Sequence, residues 1–263
     1  MWGRASGVPV VLRLATTALT AVHNGVRYRL SQIAAMNALR SSLPASPVAF
    51  FDLDRTLIDV NSGRLFAQYE FEKGRISARQ LARALLWSLG YHLSLIDLPA
   101  AYAQALAHYR GVPEADIIAR TAAWFDRDIV HRLLPQAREA MAWHRSQGHR
   151  LVILSNTSCW QADIAAQAWG FDDWLANHFG KDDEHRLTGE ILSPMCYGRG
   201  KVEHAQQWLE RHGGTLEDAW FYTDSLSDAP GLYAVGHPVV VNPDPRLRRL
   251  AWREGWPVRE WVT

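Results

Sequence analysis

Four short runs of nearly unbroken apolar residues constrain this chain more than any other feature: Val48 to Leu53, Arg150 to Leu154, Trp220 to Thr223 and Pro238 to Val241. Strands covered on both faces read this way, so the runs belong to the interior of a parallel sheet. The stretches between them carry helix punctuation. Pro135 fits a first helical position, and Gly148 can stop that helix just before the second run. Asp244-Pro245 opens a later helix that Gly255 closes. Alternation of strand and helix predicts a doubly wound α/β core.

One stretch breaks the rhythm. From 54 to 149 no convincing strand is visible, and Ser77 to Leu89, Pro99 to Arg110 and Pro113 to Asp128 read as helices. Gly63 and the segment Gly90 to Leu98 read as joints. The expected organisation is a core formed by 47–62 and 134–263, with 63–133 inserted after the first strand as a helical cap. In an α/β protein such a cap covers the carboxyl ends of the strands, where ligands bind. Phe179 to Ser193 contains Leu187-Thr188-Gly189-Glu190-Ile191 and reads as a small hairpin.

The polar residues that end the runs carry the chemistry. Asp52 and Asp54 are two apart, so both carboxylates leave the first strand on one side. One can attack phosphorus, and the other can protonate a leaving group and then deprotonate water. Thr56 is suited to fixing the turn that follows, although acidic residues after a strand also cap helices or bind ions. The second run ends in Ser155-Asn156, a hydroxyl and N–H groups at a helix start, which suits a phosphate. A plain helix cap is the competing reading of Ser155. Lys201 follows Gly198-Arg199-Gly200 and can neutralise phosphoryl oxygens, although lysines are usually solvated. Asp224 and Asp228 follow the third run, four apart, a spacing that suits Mg²⁺, with an N-cap as the alternative for Asp228.

The order acid pair, Ser, Lys, acid pair resembles the four motifs of the haloacid dehalogenase-like superfamily in its phosphatase branch. The likeness covers 47–258. The wording Tyr222-Thr223-Asp224-Ser225-Leu226-Ser227-Asp228, with Gly236-His237-Pro238 and Val241-Asn242-Pro243-Asp244 after it, is similar to subfamily IB, the phosphoserine-phosphatase-like group. That resemblance implies a Rossmann-like core, a helical cap and Mg²⁺ as cofactor. It implies Asp52 as nucleophile and Asp54 as acid/base, with the Asp54 main-chain carbonyl on the metal. Ser155 and Lys201 would hold the phosphoryl group, with Thr56 and Asn156 beside them. Asp224 would be a metal ligand, and Asp228 a ligand or a positioner of Lys201. The expected reaction is hydrolysis of a small-molecule phosphomonoester through an aspartyl phosphate. The alternatives are a phosphotransferase using the same intermediate and a membrane-associated, non-catalytic member. Two positions depart from the pattern. Asn61 stands where phosphoserine phosphatases place a Glu for the substrate amine, which argues for another substrate, a lipid-like or small metabolite phosphate. Arg55 joins Asn61 as a candidate for specificity. Thr223 stands where many relatives have Gly.

Composition excludes several other classes. The 28 basic and 27 acidic residues of 263 give a formal charge of +1, so no nucleic-acid partner is expected. Cys159 and Cys196 form no CxxC and no disulfide framework, which fits a reducing, cytoplasmic setting. Gly198-Arg199-Gly200-Lys201 is no P-loop, because Pro194 and Val202 occupy required positions. His144 and His149 read as core or surface histidines, Trp124, Trp143, Trp169 and Trp208 as core, and Arg246, Arg248 and Arg249 as a solvated face. Met1 to Phe51 contains no Asp or Glu but five Arg, and Leu14 to Val22 is too short to span a bilayer. Residues 1–46 therefore read as a basic helical extension, either docked, a targeting peptide, or in peripheral contact with a membrane through 1–45.

Overall fold

The computed structural model describes residues 46–92 and 104–261, and two short strands before them. Those two, β1 (Thr20–His23) and β2 (Val26–Arg29), pair antiparallel with His23 opposite Val26. A helical reading of this part of the arm does not hold. Asn24-Gly25 between β-branched and aromatic residues is a strong two-residue hairpin signal, and it outweighs the basic composition. The expected membrane contact otherwise falls on residues outside the described ones. Among the described residues no helix is long and apolar enough to cross a membrane.

The remainder is built on a six-stranded sheet. Its strands are β3 (Val48–Phe51), β4 (Arg150–Ser158), β5 (Asp173–Asn177), β8 (Trp220–Thr223), β9 (His237–Val241) and β10 (Val258–Arg259), in the order β10-β9-β8-β3-β4-β5. All five pairings are parallel. β6 (Phe179–Lys181) and β7 (Leu187–Ile191) form the separate hairpin expected from the sequence.

Helices cover both faces, because successive side chains of a buried strand point opposite ways. Phe51, Ile153 and Tyr222 pack with Met141 of α4 (Pro135–Ser146) and Ala165 of α5 (Cys159–Trp169). On the other side Phe50, Val152 and Phe221 meet Trp208 of α6 (Arg199–His212), Leu232 of α7 (Ala229–Ala234) and Leu247 of α8 (Pro245–Glu254). Pro135 is the first residue of α4. Asp244 caps α8 by accepting from the N–H groups of Arg246 and Leu247, and Gly255 ends it in a left-handed conformation.

The insertion is helical. It contains α1 (Ser62–Glu72), α2 (Ala78–His92) and α3 (Glu114–Asp128). Gly63 and Gly90 lie inside α1 and α2 rather than at joints, since a glycine within a helix costs only about 1 kcal/mol. Of the helix expected over 99–110, residues 99–103 lie outside the described ones, and Ala107–Tyr109 is a 3-10 turn. Glu70 of α1 is buried and pairs with Arg75 at 2.6 Å and Arg120 of α3 at 3.7 Å, tying the cap helices together. Trp124, Trp169 and Trp208 are core residues as expected, whereas Trp143 is half exposed.

Candidate active site

Asp52 follows the last residue of β3, and its N–H donates to Tyr222 O at 2.9 Å, so β3 and β8 deliver their terminal acids side by side. The chain then turns sharply. Arg55 takes a positive φ of 55°, and the Leu57 N–H returns to Leu53 O. Thr56 is buried in this turn, does not line the cavity, and its hydroxyl has no hydrogen-bond partner, so the side chain neither fixes the turn by a hydrogen bond nor borders the cavity. Asn61 caps α1, its Oδ1 accepting from Arg64 N at 2.9 Å.

Ser155 and Asn156 are delivered differently from the sequence expectation. β4 runs on to Ser158, and its pairing with β5 slips between Leu154 and Ser158. A bulge of this kind re-aims side chains beside a site. The helix cap is Ser158, which accepts from Gln161 N, so the capping reading of Ser155 fails. Asn177, which nothing in the sequence singled out, pins the bulge. Its Nδ2 donates to Asn156 Oδ1 at 2.8 Å, and its Oδ1 accepts from Cys196 N at 2.8 Å.

Lys201 lies in the first turn of α6. Gly200 permits this turn, because a Cβ there would stand 1.8 Å from Met195 O. The ammonium, in a residue only 2% exposed, donates to Asp52 Oδ1 at 2.9 Å and to Asp228 Oδ2 at 2.7 Å. Asp228 stands at the cap position of α7, yet its carboxylate makes no cap bond. It accepts instead from Lys201 and from the Thr223 hydroxyl, the latter at 2.6 Å.

Lys201 bridges two of the four carboxylates, those of Asp52 and Asp228. Burial pushes Asp54 up to about 7, with the Asp52 charge adding to it and Ser62 opposing. Burial also raises Asp224 well above its ordinary value, reinforced by Asp52 and Asp228. Asp228 is raised by burial, against the pull of Lys201. Asp54 Oδ1 has no hydrogen-bond partner. Among the described residues no three His, Cys, Asp or Glu side chains converge to hold a metal. Mg²⁺ does not require three, because it takes one or two carboxylates and keeps waters. An all-oxygen donor set with surplus negative charge and an unpartnered carboxylate oxygen fits such an ion.

Cap and core enclose a cavity of about 410 Å³ over these groups, lined by Asp52, Asp54, Arg55, Asn61, Ser155, Asn156, Lys201 and Asp224 among others. Every site residue named from the sequence borders it except Thr56 and Asp228, and Asp228 touches it through Lys201. A wider groove of about 950 Å³ lies elsewhere, along Trp220, His237 and Trp256, and holds none of the candidate site residues.

A sheet of this order, a helical cap after its first strand and acids gathered around one lysine define a hydrolase of the phosphatase kind. The haloacid dehalogenase-like hydrolase family matches residues 49–232, and the chain belongs to that family. A histidinol-phosphatase of Neisseria meningitidis is 27% identical over 80% of this chain and 97% of its own length. A phosphoserine phosphatase of Mycobacterium tuberculosis is 28% identical over 92% and 80%. A Bordetella pertussis protein of unknown function has a solved structure that superposes with a TM-score of 0.71 at 28% identity, covering 81% of this chain and 98% of that one.

Proposed function

We propose that this enzyme hydrolyses a small phosphomonoester, with Mg²⁺ bound, through a phosphoryl group carried on Asp52. The carrying observation is the buried Lys201 bridge between Asp52 and Asp228 beneath a capped cavity. A Lys201 ammonium fixed there meets the phosphoryl oxygens as they arrive, and the lysine's own contacts keep it from turning away. Asp52 and Asp224, with the Asp54 main-chain carbonyl, would hold the ion. When bound, it offsets the repulsion between carboxylate and phosphate.

Asp52 forms the new P–O bond while the bond from phosphorus to the substrate's alcohol oxygen breaks. Asp54, whose carboxyl burial favours in the protonated form, gives its proton to that oxygen. In the second half, Asp54 takes a proton from water, whose oxygen attacks phosphorus and releases phosphate and Asp52. Ser155, Asn156 and Arg55 line the same cavity, where they would meet the phosphoryl oxygens. Asn61 offers an amide in place of a carboxylate, and its Oδ1 is spent on capping α1, so no anion at this position meets a substrate ammonium.

The test is an aryl phosphate assay with Mg²⁺, with EDTA, and with hydroxylamine quenching followed by mass spectrometry. Turnover that EDTA abolishes, with a hydroxamate on Asp52, supports the proposal. Turnover indifferent to EDTA, or a modified residue elsewhere, contradicts it. Transfer to added alcohols with no free phosphate would identify a phosphotransferase instead.

A further inference from the structure

A side-chain amide carries an oxygen on one branch and an NH₂ of nearly the same size on the other, so packing alone does not decide which way it faces. Asn156 has this ambiguity where it matters. It is half-buried on the cavity wall, in the bulge of β4, where the pairing with β5 slips between Leu154 and Ser158. An ionised phosphoryl oxygen only accepts, so the Asn156 NH₂ attracts it and the Asn156 oxygen repels it.

The main chain fixes the orientation through Asn177. The Cys196 N–H can only donate, and it lies 2.8 Å from Asn177, so the Asn177 branch facing it is the oxygen. The other branch is then Nδ2, also a pure donor, and it reaches Asn156 at 2.8 Å, so the Asn156 branch facing it is Oδ1. Asn156 Nδ2 is thereby set on the opposite branch. Turning either amide round would place donor against donor, and Asn177 is only 1% exposed, so the lost bond would not be replaced by water. The start of the relay is itself held. Cys196 is fully buried, and its thiol donates to Leu175 O at 3.4 Å, so two bonds tie it to β5. Cys196 also leads into the turn that carries Lys201, where the Gly200 N–H donates to Tyr197 O at 2.9 Å. One amide thus links the Asn156 wall of the cavity to the Lys201 wall.

We propose that Asn177 is a positioning residue for phosphoryl binding: anchored on Cys196, it holds Asn156 so that Nδ2 donates to a phosphoryl oxygen. This rests on the phosphatase reading above and adds a residue that acts on the phosphoryl group without bordering the cavity. An Asn156 free to turn would present its oxygen to the phosphoryl group part of the time.

The experiment measures inhibition of aryl phosphate turnover by inorganic phosphate, with Mg²⁺, in a double-mutant cycle of Asn177→Asp and Asn156→Ala. The aspartate keeps an acceptor for the Cys196 N–H and loses the donor, so Asn156 turns its NH₂ inward and its oxygen to the cavity. Asn177→Asp is expected to weaken phosphate about tenfold more with Asn156 present than in the Asn156→Ala background. The added charge repels phosphate in both backgrounds and cancels in this comparison, as does any general loosening of the fold. Equal losses in the two backgrounds overturn the proposal. Asn177→Leu, which adds no charge, goes through the same cycle with the same expected sign, and it decides the matter where the aspartate variant does not fold. Nuclear magnetic resonance of the side-chain amides reads the relay without phosphate. Asn177→Asp should slow solvent exchange of the Asn156 NH₂ protons, and unchanged exchange overturns the relay. Absence of aryl phosphate turnover by the wild type would count against the phosphatase reading, and the exchange measurement would still decide the relay.

Discussion

The Thr223 hydroxyl donates to Asp228 Oδ2 at 2.6 Å, and that same oxygen receives Lys201 Nζ at 2.7 Å. Thr223 also accepts from the Ser225 N–H at 3.2 Å, so one side chain holds the loop after β8 and the acid that steers the lysine. A glycine at this position would offer no such hydroxyl.

Thr223→Val keeps the shape and removes the donor. It should cost about 1.5–3 kcal/mol in urea unfolding, the range for a hydrogen bond to a charged group, while Thr223→Ser should recover most of it. Equal stability of the Val and wild-type proteins would show that Asp228 does not depend on this bond.

Gly200→Ala should weaken the enzyme through Lys201. The added methyl cannot coexist with the Met195 carbonyl, so the first turn of α6 must shift. A loss of about 1–3 kcal/mol is expected, with a larger fall in kcat than in aryl phosphate affinity. A variant with unchanged stability and kcat would mean that this turn is not held against Met195.

His144 makes the fold sensitive to acid. It is buried, its Nε2 sits 2.9 Å from the Tyr222 hydroxyl, and its Nδ1 is 2.9 Å from His149 Nδ1. Burial, then the His149 and His237 charges, lower it to about 4. His149 is lowered in the same way by burial and His237. Between pH 6.5 and 4 the unfolded chain binds a proton that folded His144 refuses, so its stabilising effect, full above 6.5, is lost as pH falls. The full effect is roughly 3 kcal/mol. The raised carboxyl groups of Asp54 and Asp224 act in the opposite sense, so the informative quantity is a difference. His144→Gln should lose less stability than wild type between pH 7.5 and 4.5, and parallel curves would contradict this.

The sheet was legible because buried parallel strands leave apolar runs with little else in them. Trp220 to Thr223 coincides with β8 residue for residue, and Pro238 to Val241 differs from β9 by one. The acids were legible because they follow the strand ends, and the lysine because it opens a helix after Gly198-Arg199-Gly200. What could not be read depends on pairs distant in sequence. Asn177 meets Cys196 and Asn156, and His144 meets Tyr222 across 78 positions. The bulge in β4 was missed because its residues are ordinary polar ones, whose departure from the ladder is set by β5. The pairing of β1 with β2 is different, since its signal, Asn24-Gly25 between the two runs, stands in the sequence beside a basic composition that points to a helix.

The central claim is that Asp52 attacks phosphorus. Aryl phosphate turnover by Asp52→Asn, measured with saturating Mg²⁺ on protein shown to be folded, tests it most directly. A fall of about a thousandfold or more is expected, because the amide keeps the shape but cannot serve as nucleophile. Metal-dependent turnover within about tenfold of wild type would contradict the account.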